Sequence, residues 1–394
     1  MEHGIIKKIF LLILTVILLI HLKLYASNPA DSVPDDLFPA VNHLLEYMES
    51  NAKKTLTLDV IPRILDFIET PKASGEAMNL GERNGAVSDY YEFSVNRSLG
   101  EVLDLAYNPD LPSNLTQPSS VRRSQWIPID GQSMNLPRFS AELNHLDKPL
   151  IINGIEFIEN SPDTFSGAYY AYTVDRLLIL IRHKGRPALI SVSNQKGKSE
   201  VGKKGFILGN DDEWNYIYSG EKGTTMPGTG WADTYMYSSA SITVYYELDA
   251  NPGHVRCAVF KWLSAGWMGL NFVKPAHIRK GMERFAKDFR KIVESPALAD
   301  TESIAQIYQK IRALSLDELK AEAAAYYDLK NISRFQLENS QNKKLITKLF
   351  QDSKYINSLN RQEMEAFVSI EYLKYKMGKC SDGQSGHFPA SLIK

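Results

Sequence analysis

The chain has 394 residues, 44% of them hydrophobic and 23% charged, with 45 Lys and Arg against 46 Asp and Glu. That composition excludes a collagen-like, wholly disordered or disulfide-scaffold protein, and a net charge of −1 argues against nucleic acid as a partner. At roughly 150 residues per domain, the length allows two or three cores and a ligand cavity.

Lys7 and Lys8 precede an apolar run from Ile9 to Ile20, which His21, Lys23, Ala26 and Ser27 follow. This is the order of a secretory signal peptide, expected over residues 1–27. The run is about 12 residues long, short of the roughly 20 that cross a bilayer as a helix. Export with cleavage is therefore expected, to the periplasm or the extracellular space. The alternative is membrane association through an uncleaved N-terminus, because Leu22, Leu24 and Tyr25 lengthen the stretch and Lys23 can snorkel to the interface. No Cys follows the run, so anchoring through a lipidated cysteine is not available. Cys257 and Cys380 are read as free thiols in preference to a disulfide, and sequons stand at Asn96, Asn114 and Asn331.

Residues 28–85 read as a helical segment and linker. Leu37, Val41, Leu44, Leu45 and Met48 have helical spacing, as do Ile61, Ile64, Leu65 and Ile68 before Pro71, and residues 72–87 lack a period. Residues 86–296 read as an α+β domain. Tyr90 to Val95 is its first strand, and Ser98 caps a short helix from Leu99 to Tyr107. Extended runs follow over 149–159, 168–174, 176–182, 188–194, 234–248 and 255–262, with hairpin turns at His183 to Arg186 and Ala250 to Gly253. Pro275 opens an amphipathic helix that carries Ile278, Met282, Phe285, Phe289 and Ile292 on one face and stops at Pro296. Residues 297–380 form a helical C-terminal region, either a separate unit or a collar on the sheet, with a capping box at Ser315 to Glu318; residues 381–394 read as a disordered tail.

The fold class is thus α+β, an antiparallel sheet gripping a long helix, flanked by N- and C-terminal helical segments. Over about residues 88–295 this order resembles the helix-grip layout of the START-like (SRPBCC) ligand-binding superfamily. Tyr90 to Val95 matches the first strand, Ser98 to Tyr107 the small helix and Pro275 to Glu294 the gripped helix. The resemblance implies a curved sheet around an apolar cavity for a lipid, sterol, polyketide or similar molecule. The chain departs from that layout in the long polar segment Gly197 to Gly230 and in the helices at both ends.

Several motifs dissolve on inspection. Gly197 to Lys204 nearly spells a phosphate-binding loop, but Lys204 stands where the magnesium-binding hydroxyl belongs and an extended segment follows. Ser193-Asn194-Gln195-Lys196 matches S-x-x-K, yet the serine ends a strand. The histidines outside the export signal have no i, i+4 pair, so no metal is expected. Asn210 to Glu213 groups oxygen ligands without the alternation of a calcium loop. No catalytic residue, cofactor or metal is assigned.

The most informative feature is aromatic. Trp214, Trp231, Trp262 and Trp267 fall in one span with many tyrosines, and such side chains suit a cavity for a lipid-like or ring-containing ligand. The candidate ligand-binding residues are Tyr169, Tyr172, Trp231, Tyr235, Tyr237, Trp262, Trp267, Met282 and Phe285. Gly266 and Gly269 suggest a flexible flap at an entrance. The expected function is binding or carriage of an apolar small molecule or lipid. One alternative is an envelope hydrolase or glycan-processing enzyme using Asp211, Asp212 or Asp233. Another is a scaffold whose C-terminal helices bind a protein partner.

Overall fold

The computed structural model describes residues 34–379 other than 35–36, 51–52, 71–77, 79, 133, 135, 227–229, 251–252 and 327–353, of which 347 and 349 are described. The export signal, Asn331, Cys380 and the tail from 381 lie outside the described residues.

The fold is α+β. Seven long antiparallel strands form the main sheet: β1 (Val87–Val95), β2 (Val121–Ile127), β3 (Leu150–Asn160), β5 (Ala171–His183), β6 (Arg186–Gln195), β11 (Tyr235–Ala250) and β12 (Gly253–Trp267), in the spatial order β1-β12-β11-β6-β5-β3-β2. The β5–β6 turn is the expected one, with Lys184 and Gly185 both at positive φ, the backbone that a two-residue hairpin requires.

Both faces of this sheet are buried, because successive residues of a strand point to opposite sides. On the outer face Phe260, Trp262, Ile242, Val244, Ile190 and Val192 pack against α1 (Leu37–Glu49) and α2 (Ile61–Glu69). On the inner face Phe93, Cys257, Tyr245, Leu189 and Leu178 pack under α3 (Leu99–Ala106) and α5 (Pro275–Val293). The short helix α4 (Phe139–Glu142) lies against α3. Ser98 caps α3 through a reciprocal pair with Glu101.

The long polar segment from Gly197 holds four short strands. Ala168–Tyr169 (β4), Lys203–Ile207 (β7) and Tyr216–Lys222 (β8) make a second sheet, and Thr224–Met226 (β9) pairs with Gly230–Ala232 (β10). The segment suggested as a flap is a short hairpin. Gly266 and Trp267 pair with Asn271 and Leu270 of β13 (Leu270–Asn271), and Met268 and Gly269 form a tight turn at positive φ. A Cβ on Gly266 would sit 2.1 Å from the Leu270 carbonyl oxygen, so the glycine serves close approach of the two strands.

The C-terminal helices are α6 (Thr301–Ala313), α7 (Leu316–Tyr326), α8 (Lys354–Ser358) and α9 (Arg361–Lys376). Ile304, Ile311, Leu319, Met364 and Val368 share one apolar core with α3, α5 and the inner face, which is the collar arrangement. Arg122 on β2 ties the collar down, reaching Glu159 at 3.1 Å and Glu363 of α9 at 2.8 Å.

Candidate functional site

Between the inner face and α5 lies a cavity of about 1000 Å³, at the upper end of the size range of small-molecule sites. Its ceiling carries the apolar face of α5 read from the sequence, Ile278, Met282, Phe285 and Phe289, beside His277, Lys280 and Arg284. Its floor is polar. Strand β11 presents Ser239, Ser241 and Thr243 inward, and β6 presents Ser191 and Ser193. These hydroxyls alternate with Ala240, Ile242, Val244, Ile190 and Val192, which point to the opposite core.

Ion pairs hold α5 over this floor. Asp89 on β1 receives both Nε and a terminal nitrogen of Arg279, at 2.7 and 2.8 Å. Asp211 takes Arg284 in the same two-pronged way, and Asp212 pairs with Lys287. Asn210 accepts from the Asp212 backbone and closes the turn that presents both acids. The acidic run considered for calcium or hydrolysis thus anchors a helix, while Asp233 is exposed to solvent. Among the described residues no group of three or more His, Cys, Asp or Glu side chains is placed to hold a metal.

Two cations sit among the floor hydroxyls. Arg176 on β5 donates to Glu156 at 2.9 and 2.6 Å and to the Ser191 hydroxyl at 3.1 Å. Lys261 on β12 donates to the Ser239 hydroxyl at 2.7 Å. Register aligns them: Lys261 lies opposite Ser241, Ser241 opposite Ser193, and Ser193 opposite Arg176. The two serine hydroxyls between them are 2.7 Å apart. Burial, with the Arg176 charge a smaller contribution, lowers the Lys261 amine to about 8. Burial likewise raises the Tyr172 phenol to about 12.

Of the residues expected at the site, Tyr172, Met282 and Phe285 line the cavity. The others stand elsewhere. Trp262 lies on the outer face, its indole donating to the Gly81 carbonyl at 3.1 Å, because it is one residue out of phase with Lys261. Tyr169 packs edge-on against Tyr218 within the second sheet, with ring centroids 5.1 Å apart, and its neighbour Tyr170 lines the cavity. Trp231 on β10 is 48% exposed and donates to the Lys222 carbonyl. Tyr235 and Tyr237 stack on each other, and the Tyr237 hydroxyl accepts from Gly269 of the β12–β13 turn. Trp267 stacks on Phe272, and of the two only Phe272 reaches the cavity. Phe165, a lining residue 83% exposed, stacks on His277 of α5.

Lys261, Arg176, Glu156 and the hydroxyl floor were not anticipated. Their signal was present as Ser191-Val192-Ser193 and as Ser239 to Val244, where small hydroxyls alternate with apolar residues inside strands. Elsewhere, Lys196 of the S-x-x-K match pairs with Asp175, and strand β7 follows the near-phosphate loop. Asn114 is buried at 1% exposure, which keeps that sequon from a glycan. Cys257 is a buried free thiol, and burial pushes its pKa up.

No family model matches the chain, and no curated protein matches it either. Among solved structures, the human StarD13 (DLC2) lipid transfer and protein localization domain aligns with 62% of this chain and 100% of its own, at 12% identity and a TM-score of 0.27. A likeness that slight carries no argument about the ligand, which rests on the cavity itself.

Proposed function

We propose that this is an exported protein that binds or carries an apolar, lipid-like molecule between α5 and the inner face of the sheet. The observation that carries the reading is the cavity of about 1000 Å³, roofed by Ile278, Met282, Phe285 and Phe289 and floored by hydroxyls. Apolar surface of this extent binds by the hydrophobic effect, and a few placed polar groups orient the ligand. The engagement of Asp211 and Asp212 with α5 favours binding over the hydrolase alternative.

The test is native mass spectrometry of the mature chain from about Ser27, purified without detergent from its own compartment, beside a Ser241→Phe variant that fills the floor. A stoichiometric adduct extractable into organic solvent is expected in the first and not in the second. An adduct that survives the filled floor, or a chain that takes up neither a native lipid nor the neutral dye Nile red, overturns the reading. Fractionation of the producing cells tests export, which fails if the chain stays in the cytoplasm at full length.

A further inference from the structure

Resting on that reading, we infer that the ligand is an acidic amphiphile, whose carboxylate or similar anionic head is taken by Lys261 between the Ser239 and Ser241 hydroxyls. The inference begins with unequal charge. Six Lys and Arg side chains line the cavity against three Asp and Glu, and of the six Arg123, Arg176 and Arg284 are paired with Glu159, Glu156 and Asp211, whereas Lys261 on the floor has no such pair among the described residues.

The nearby acids are already engaged. Glu156 holds Arg176 at 2.6 Å. Asp89, directly opposite Lys261 in the register, has both oxygens on Arg279. Asp163 receives the backbone of Phe165 and Ser166 and the Ser166 hydroxyl at the cavity wall. Glu365, at the far end, pairs with Arg361. The other groups that α5 offers to the cavity are His277, Lys280 and Arg284, none of them acidic.

Lys261 therefore has a hydroxyl partner at 2.7 Å, and no carboxylate among the described residues lies within ion-pairing distance. Lys261 is half-buried on the cavity wall, and an ammonium drawn in this far without a counter-ion is costly, in the same direction as burial lowers its pKa. A bound anion supplies the missing charge, and the rotatable Ser239, Ser241 and Ser193 hydroxyls can donate to it. The tail of such a ligand then lies under Met282 and Phe285. A neutral alcohol or ester of the same length makes the apolar contacts and leaves the cation unpaired.

Palmitate and hexadecanol are the matched probes, each titrated against Nile red bound to the full mature chain. Wild type is expected to prefer palmitate by about 10- to 100-fold, the worth of a charge-assisted hydrogen bond, and Lys261→Met to lose that preference. A second measurement needs no variant. Between about pH 7 and about pH 10 the wild-type preference should fall as the Lys261 amine deprotonates. Equal affinity for the two probes, or a preference that survives both Lys261→Met and alkaline pH, overturns the inference and leaves the cavity reading standing. Failure of both probes and of Nile red to bind overturns the cavity reading as well.

Discussion

Trp262 separates two accounts of this protein, since its residue type suits a ligand site while its placement suits a core. Its side chain is 3% exposed, wedged between β12 and the N-terminal helices, on the face of the sheet away from the cavity. Trp262→Ala removes the whole ring from a closed core, a class of change that costs about 3–5 kcal/mol. The Gly81 carbonyl keeps a partner in the Ser88 hydroxyl at 2.7 Å, so the loss is one of packing more than of an orphaned acceptor. With a urea dependence of about 3 kcal/mol per molar, the unfolding midpoint should fall by about 1 M or more, read by far-ultraviolet circular dichroism. Trp262→Phe retains most of the volume and loses the indole hydrogen bond, worth about 1 kcal/mol. The folded Phe variant should bind Nile red and palmitate as wild type does. A Phe variant with the wild-type midpoint but weakened binding would refute the placement of Trp262 outside the site.

Further outcomes follow from individual contacts. A Cβ at Gly281 on α5 meets open space, so Gly281→Ala should stabilise the fold by about 0.5–1 kcal/mol, whereas Gly266→Ala meets the Leu270 carbonyl and should lower the melting temperature; shifts of the same sign would contradict the two environments. Breaking the Asp211–Arg284 clamp by Arg284→Met should cost about 1–3 kcal/mol in urea unfolding, and added calcium should leave the wild-type melting temperature unchanged; a calcium-induced rise would restore the ion-site reading of that segment. Burial raises the Asp288 carboxyl despite the Trp214 indole that donates to it at 3.0 Å. A carboxyl raised on folding favours the folded state while protonated and opposes it once ionised, so its contribution is lost as pH climbs through the raised value. Asp288→Asn should therefore gain on wild type at about pH 7 relative to about pH 4, and the reverse trend in paired melting curves would refute the assignment.

The order of elements was legible because its signals are local: the capping box at Ser98, the hairpin at Lys184 and Gly185, and the apolar stripe of α5 each depend on neighbours in sequence. Strand β2 was missed since Val121-Arg-Arg-Ser-Gln-Trp-Ile carries no apolar alternation; it is an edge strand whose arginines tie β3 and the collar. Strand β7 was glimpsed only as an extended segment and β8 was missed, because lysine, serine and glycine interrupt the apolar residues Phe206, Tyr216 and Ile217 that the second sheet buries. The site was harder for a different reason. With α1 and α2 on one side and α5 on the other, apolar residues occupy both phases of the central strands. Period-two reading then cannot tell which phase faces a ligand, and the large aromatics drew attention that belonged to small serines. A serine every second residue inside an otherwise apolar strand is the mark of a wet face, and it was present on both β6 and β11.

The fastening of α5 bears on how a ligand of the proposed kind would enter and leave. The helix is held along its polar side by Asp89, Asp211 and Asp212, and near its end Arg290 donates to the Ser94 carbonyl and Arg97 to the Val293 carbonyl. Lifting it to admit a ligand breaks several of these bonds at once. The Phe165 ring instead rests on a single imidazole face with most of its surface in water, and a rotamer change of that kind takes picoseconds to nanoseconds. Turning the Phe165 ring disturbs none of the ion pairs that hold α5, so exchange of a ligand of the proposed kind past that ring should proceed at a rate uncoupled from the resistance of the fold to heat or denaturant.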